Sequence, residues 1–142
     1  MKAVDTNVLV YSEVVSSTHH ATARLLLTEL AEGRAPWAIP WPCVYEFLQV
    51  VTYPRVFSPP VPLTFALEDL EQILASPALV LLSETERHSE VMAVVVRESD
   101  VTGNLIHDAH IAALSIEHGV SELITGDRDF SRFPVRVTDP FR

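Results

Sequence analysis

Short apolar runs alternate along the chain with longer stretches whose apolar residues recur every three or four positions. The first spacing reads as buried strand and the second as amphipathic helix. Ala3-Val4 opens a strand that ends at Asp5, and Thr6-Asn7 can cap a helix through Val8-Leu9-Val10-Tyr11. Ser17-Thr18 starts a helix over 19–32, with Ala23, Leu26, Leu27 and Leu30 on one face and Gly33 ending it. Trp37-Ala38-Ile39 reads as a strand. Pro42 suits the first turn of the next helix, which carries Val44, Glu46, Phe47, Val50 and Val51 and stops at Pro54. After the connector Ser58-Pro59-Pro60-Val61-Pro62, Thr64 starts a helix with Leu67, Leu70, Ile73 and Leu74 on one face. Residues 79–82 read as a buried strand and 86–98 as a helix.

The stretch Gly103-Asn104-Leu105-Ile106-His107-Asp108-Ala109-His110-Ile111-Ala112-Ala113-Leu114 opens the next helix, which runs to His118 and stops at Gly119. It is apolar on nearly every face, which marks a core helix. Asn104 can cap it. Asp108 on its first turn is costly to bury unless something answers its charge. Residues 122–125 form a strand, Gly126-Asp127-Arg128-Asp129 a turn, and Val135-Arg136-Val137 a last edge strand. Strands alternating with helices imply an α/β domain over residues 1–142: a parallel sheet of four or five strands with helices on both faces. Ligands of such folds bind beyond the carboxyl ends of the strands.

Composition narrows the function. The chain has 142 residues, 48% of them hydrophobic, enough for a substantial core in one domain. It has no apolar run of about 18 residues and opens without a signal-peptide pattern, so a cytoplasmic protein is expected. The single cysteine, Cys43, excludes an internal disulfide and a multi-cysteine zinc site. Net charge is −9, which argues against a general nucleic-acid binder. Any grip on a polyanion must be local, and Arg128, Arg132, Arg136 and Arg142 crowd the C-terminus.

Four acids share an address the surface does not explain. Asp5 ends the first strand, Glu46 lies early in the helix after the second, Asp108 opens its helix, and Asp127 follows the strand at 122–125. The sheet makes them converge. Two unit charges about 5 Å apart repel by roughly 3 kcal/mol at an effective dielectric of about 20, so six pairs approach ~20 kcal/mol. A domain is stable by only ~5–15 kcal/mol. Protons or cations must relieve the strain, and Lys2 is the only lysine. An all-oxygen site suits hard divalent cations, magnesium or manganese. Two such ions can activate water and stabilise the leaving oxygen of a phosphodiester.

These residues match a family. Val4-Asp5-Thr6-Asn7-Val8-Leu9-Val10-Tyr11 resembles the opening of PIN-domain ribonucleases, and Glu46 in Val44-Tyr45-Glu46-Phe47-Leu48 looks like their second acid. The stretch from Gly103 to Ala113 resembles their third motif in a form frequent among VapC-type toxins, and Thr125-Gly126-Asp127-Arg128-Asp129-Phe130 resembles the closing T-x-D-x-D-F motif. The likeness spans essentially the whole chain. It implies a three-layer α/β/α PIN-like fold and a Mg2+-dependent endoribonuclease, the toxin of a type II toxin–antitoxin pair. Mn2+ would substitute. A VapB-type antitoxin, an RNA substrate and a homodimer follow as expected partners, with no membrane. By the same likeness Asp5 and Asp108 are the principal metal ligands, Glu46 and Asp127 complete the pocket, and Thr125 and Asn104 support it.

Plainer roles compete. Asp5 can simply cap a helix, Glu46 can be a solvated helix residue, and Asp127 and Asp129 can form a turn; the turn is assigned mainly to Asp129. His107 and His110 point to different sides of their helix and are packing or surface residues before they are bases. Cys43 reads as a small buried residue, Trp37 and Trp41 as core or subunit contacts. Two other functions stay open: a binding module that does not cut, and an aspartyl-phosphate phosphatase or receiver domain, which the lack of a lysine after Lys2 disfavours.

Overall fold

A computed structural model describes all of residues 1–142. The strands are β1 (Lys2–Val4), β2 (Trp37–Pro40), β3 (Leu79–Leu82), β4 (Glu122–Ile124) and β5 (Val137–Thr138). The helices are α1 (Thr6–Glu13), α2 (His20–Glu32), α3 (Trp41–Thr52), α4 (Leu63–Leu74), α5 (His88–Ser99) and α6 (Leu105–Glu117), and a 3-10 turn spans Arg128–Arg132. All strand pairs are parallel, in the order β3-β2-β1-β4-β5. Helices α1 to α4 pack in one group, and α5 packs on α6 in another. The architecture is three-layer α/β/α.

The chain fills the sheet outward from β1 to β2 and β3, then returns to lay β4 on the other side of β1. That reversal opens a crevice at the carboxyl ends of β1 and β4, where open α/β sheets bind ligands. One apolar core of 30 buried residues supports it, with Trp37, Phe47, Phe130 and Leu114 among its largest members.

Three local expectations fail. Residues 79–82 were expected to be buried, but β3 is the sheet's edge and Val80 is 39% exposed. Thr6 and Asn7 do not precede α1; they are its first two residues, Asp5 is the N-cap residue, and no side chain caps the helix. Asn104 has helical backbone angles and makes no capping bond either. The Thr6 and Asn7 side chains instead reach across to other elements. Gly119 ends the α6 region at φ +64, a left-handed conformation that glycine adopts without steric cost.

Candidate active site

The pairing of β1 with β4 sets Val4 opposite Ile124, so the residues after each strand lie side by side. The Asp5 amide donates to the Ile124 carbonyl at 3.0 Å. Asp5 is 3% exposed. Its Oδ2 accepts from Thr125 Oγ1 at 2.8 Å and from Asn7 Nδ2 at 2.9 Å, and Cys43 Sγ stands 3.6 Å from its Oδ1. Thr125 Oγ1 in turn accepts from Asn7 Nδ2 at 2.8 Å and from the Asp127 amide at 3.0 Å. One hydroxyl thereby donates once and accepts twice, which is its full capacity. Asn7 Oδ1 accepts from the Gly126 amide at 3.0 Å. Asn7 therefore bolts the start of α1 to the end of β4.

Glu46 projects from the second turn of α3, and its Oε2 accepts from Thr6 Oγ1 at 2.9 Å. Asp108 lies in the first turn of α6. Asp127 is the N-cap of the 3-10 turn: its Oδ1 accepts from the Asp129 amide at 2.9 Å. The turn-forming carboxylate is thus that of Asp127, not Asp129. Carboxylate oxygens of Asp108, Asp127 and Asp129 all lie within 4.8 Å of one another. Asp5, Glu46, Asp108 and Asp127, delivered by four separate parts of the chain, line one cavity of about 270 Å³ together with Asn7 and Tyr11.

The electrostatics register the crowding. Burial pushes the Asp5 carboxyl up to about 6, against the lowering effect of the Thr125 hydrogen bond and with a further push from Glu46. Burial also raises Asp108 to about 7, aided by the negative charges of Asp127, Asp5, Glu46 and Asp129. No arginine or lysine forms an ion pair with any of the four acids; the four ion pairs in the molecule lie elsewhere. Proton retention near neutrality is the response of acids that lack a counter-charge. A hard divalent cation fits this donor set, since every side chain offered is a carboxylate or a neutral oxygen or amide. These acidic residues could form a metal site.

A PIN-domain family model matches residues 2–135. The chain belongs to the PIN-domain family. Ribonuclease VapC43 of Mycobacterium tuberculosis is 38% identical over 133 residues, covering 94% of this chain and 90% of that protein. Ribonuclease VapC37 of the same species is 34% identical over 133 residues, covering 94% and 92%. In three dimensions the PIN domain resembles VapBC2 from Rickettsia felis bound to a promoter DNA fragment, with a TM-score of 0.70 at 20% identity and 96% coverage of each chain. It also resembles VapC20 of M. tuberculosis, described as a Sarcin-Ricin loop cleaving toxin, with a TM-score of 0.67 at 17% identity, covering 92% and 93%.

Most of the remaining candidates fall around the rim. Asn104 and His107 are exposed and, with Asp108, His110 and Asp129, line a broad groove of about 570 Å³ that Glu46 and Tyr45 border from α3. Trp37 is core, at 1% exposure, whereas Trp41 is 37% exposed and tilts against Tyr45. Of the C-terminal arginines, Arg132 pairs with Asp129 and Arg142 with Asp139. Arg128 has no ion pair and lines a second cavity beside Asp127 with Arg142. Sequence reasoning missed Asn7 and Thr6 as site residues because both are good helix caps. The available signal was their place beside an acid at a strand's end, where polar side chains can serve the crevice.

Proposed function

We propose that this PIN-domain chain is an endoribonuclease, the toxin of a type II toxin–antitoxin pair, and that it hydrolyses RNA phosphodiesters with Mg2+ at the four-acid cavity. The names of its relatives as VapC ribonucleases support this reading. The observation that carries it is the meeting of Asp5, Glu46, Asp108 and Asp127 around one cavity without a cation of the protein's own.

Asp5 and Asp108 would be the principal holders of the ion, with Glu46 and Asp127 completing the set. Asp129 has an oxygen close enough to join Asp108 and Asp127. Mn2+ would serve in place of Mg2+. A divalent cation bound here would lower the pKa of an attacking water and offset charge on the scissile phosphate. The protein's own residues do the rest. Thr125 and Asn7 hold the Asp5 carboxylate in one orientation, and Thr6 does the same for Glu46. Arg128, unpaired beside Asp127, takes a flanking phosphate of the RNA. Asp5 and Asp108, whose carboxyls are raised to about 6 and about 7, would have to give up their protons to hold the cation, so metal affinity would weaken as pH falls below about 7. A VapB-type antitoxin, a second copy of the chain and the cytoplasm complete the setting.

The test is cleavage of total RNA by the wild type and by Asp108→Asn, each with Mg2+ and with chelator. Cleavage confined to the wild type with Mg2+ is expected. Equal cleavage by Asp108→Asn, or full activity under chelation, would overturn the proposal.

A further inference from the structure

Helix α6 carries a second cluster of ligating side chains, made of different chemistry from the acid cavity. Glu84 lies in the segment after β3, His88 is the first residue of α5, and His110 lies in α6. One ligand atom from each lies within 4.8 Å of the others. His110 Nε2 is already 2.8 Å from Glu84 Oε1, and the His88 and His110 rings stand 5.3 Å apart at 60°.

Behind His88 is a built support. His88 Nδ1 is 2.6 Å from Glu117 Oε2, and the Glu117 side chain is shielded from solvent. Glu117 Oε1 accepts from the Thr85 amide at 3.0 Å and from Thr85 Oγ1 at 2.8 Å. A carboxylate so held accepts the Nδ1 proton of His88 and leaves Nε2 with its lone pair. Metal-ligating histidines are oriented in the same way, by a carboxylate on the nitrogen that does not bind the metal.

We propose that Glu84, His88 and His110 form a second metal site, selective for a borderline d-block cation such as Zn2+, with Glu117 as the positioning residue and water in the fourth position. Tetrahedral zinc with nitrogen and oxygen ligands at about 2.0–2.1 Å sets ligand atoms about 3.3 Å apart. The 2.8 Å pair must open slightly, and the third ligand atom, within 4.8 Å of both, must close by no more than about 1.5 Å. The cation takes the place of the direct His110–Glu84 contact. Imidazole suits Zn2+ where carboxylate and water suit Mg2+, so the two sites on α6 divide the available metals. Occupied, the second site ties the segment between β3 and α5 to the helix that presents Asp108.

Calorimetric titration of Zn2+ into the full chain in excess Mg2+ tests this. One Zn2+ per chain is expected for the wild type and for Asp108→Asn. His88→Gln and His110→Gln should each weaken binding at least ~10-fold. Glu117→Gln should weaken it by about 10–100-fold, because the amide donates to Nδ1 and drives the imidazole proton onto Nε2. Co2+ should give the strong visible absorption of tetrahedral coordination in Asp108→Asn and lose it in His110→Gln. Glu84→Gln, on an exposed position, supplies a variant whose folding is not in question. No Zn2+ uptake in Mg2+, or uptake unchanged in both histidine variants and in Glu84→Gln, overturns the proposal.

Discussion

Helix α6 bears an acid near each end, and its surroundings treat the two in opposite ways. Asp108, at the start, faces Asp127, Asp5, Glu46 and Asp129, and burial with those charges raises its carboxyl to about 7. Glu117, at the end, also meets a burial penalty, but hydrogen bonds from His88 and Thr85 outweigh it and hold the carboxyl below its ordinary range. Both are acids on a core-facing helix. What separates them is whether donors were placed to answer the charge. Glu117 spends its lone pairs on the protein and so orders it. Asp108 leaves them free, which costs stability and makes the group available to a ligand. The acid of the candidate site stands out here by the partners it lacks.

That contrast predicts effects of opposite sign on one helix. Asp108→Asn should cut Mg2+-dependent RNA cleavage by about 100-fold or more. In chelator it should raise stability by about 1 kcal/mol, a figure already discounted for the half-exposed side chain. Thermal melts without metal check the sign: a less stable Asp108→Asn would mean that the acid is answered after all.

The pH dependence sharpens the same point through Asp5. Its carboxyl titrates at about 6 in the folded chain against an ordinary 3.8. The native state therefore holds a proton that the unfolded chain has released, so stability falls as pH rises from about 4 to about 6. Some two pKa units correspond to about 3 kcal/mol. Glu13, raised to about 7 by burial and by Asp69, slopes the same way. The difference between wild type and Asp5→Asn removes it. Urea melts in chelator at pH 4.5 and 7.5, which span most of that window, should show the wild type losing about 2 kcal/mol more than Asp5→Asn. Millimolar Mg2+ should erase most of that difference.

The elements and their parallel pairing were legible because hydrophobic spacing reports burial, and the four acids were legible because each follows a strand or lies in the first two turns of a helix, where open sheets expose their ends. Burial of individual strands was not. Leu79-Val80-Leu81-Leu82 is as apolar as a central strand, yet strand order puts it at the edge, and order depends on crossovers that leave no local mark. The roles of Asn7 and Thr6 were hidden for a related reason. A cap residue and a residue bridging to Thr125, just past a strand and 118 positions away, are the same amino acid. Likewise, Glu117 sits among residues that read as a helix end, and its His88 and Thr85 partners lie 29 and 32 positions earlier. Long-range partners decide which polar residue does what, and spacing carries no record of them.

Two smaller tests probe the donors themselves. Glu117→Ala should destabilise the chain by about 1–2 kcal/mol, since the Thr85 amide and the His88 Nδ1–H lose their acceptor. The sign is opposite to that of Asp108→Asn. Thr125→Val keeps the shape and removes one hydroxyl. The Asp127 amide then loses its acceptor while Asn7 Nδ2 keeps Asp5, so the cost should be about 1 kcal/mol. The second consequence is more telling. Asp5 loses a hydrogen bond that favours its charged form, so its carboxyl should titrate higher than in the wild type. The pH at which Mn2+ binding is half-lost, followed by calorimetry, should shift upward in Thr125→Val and return in Thr125→Ser. An unmoved midpoint would mean that Thr125 holds the strand ends together without tuning the acid beside it.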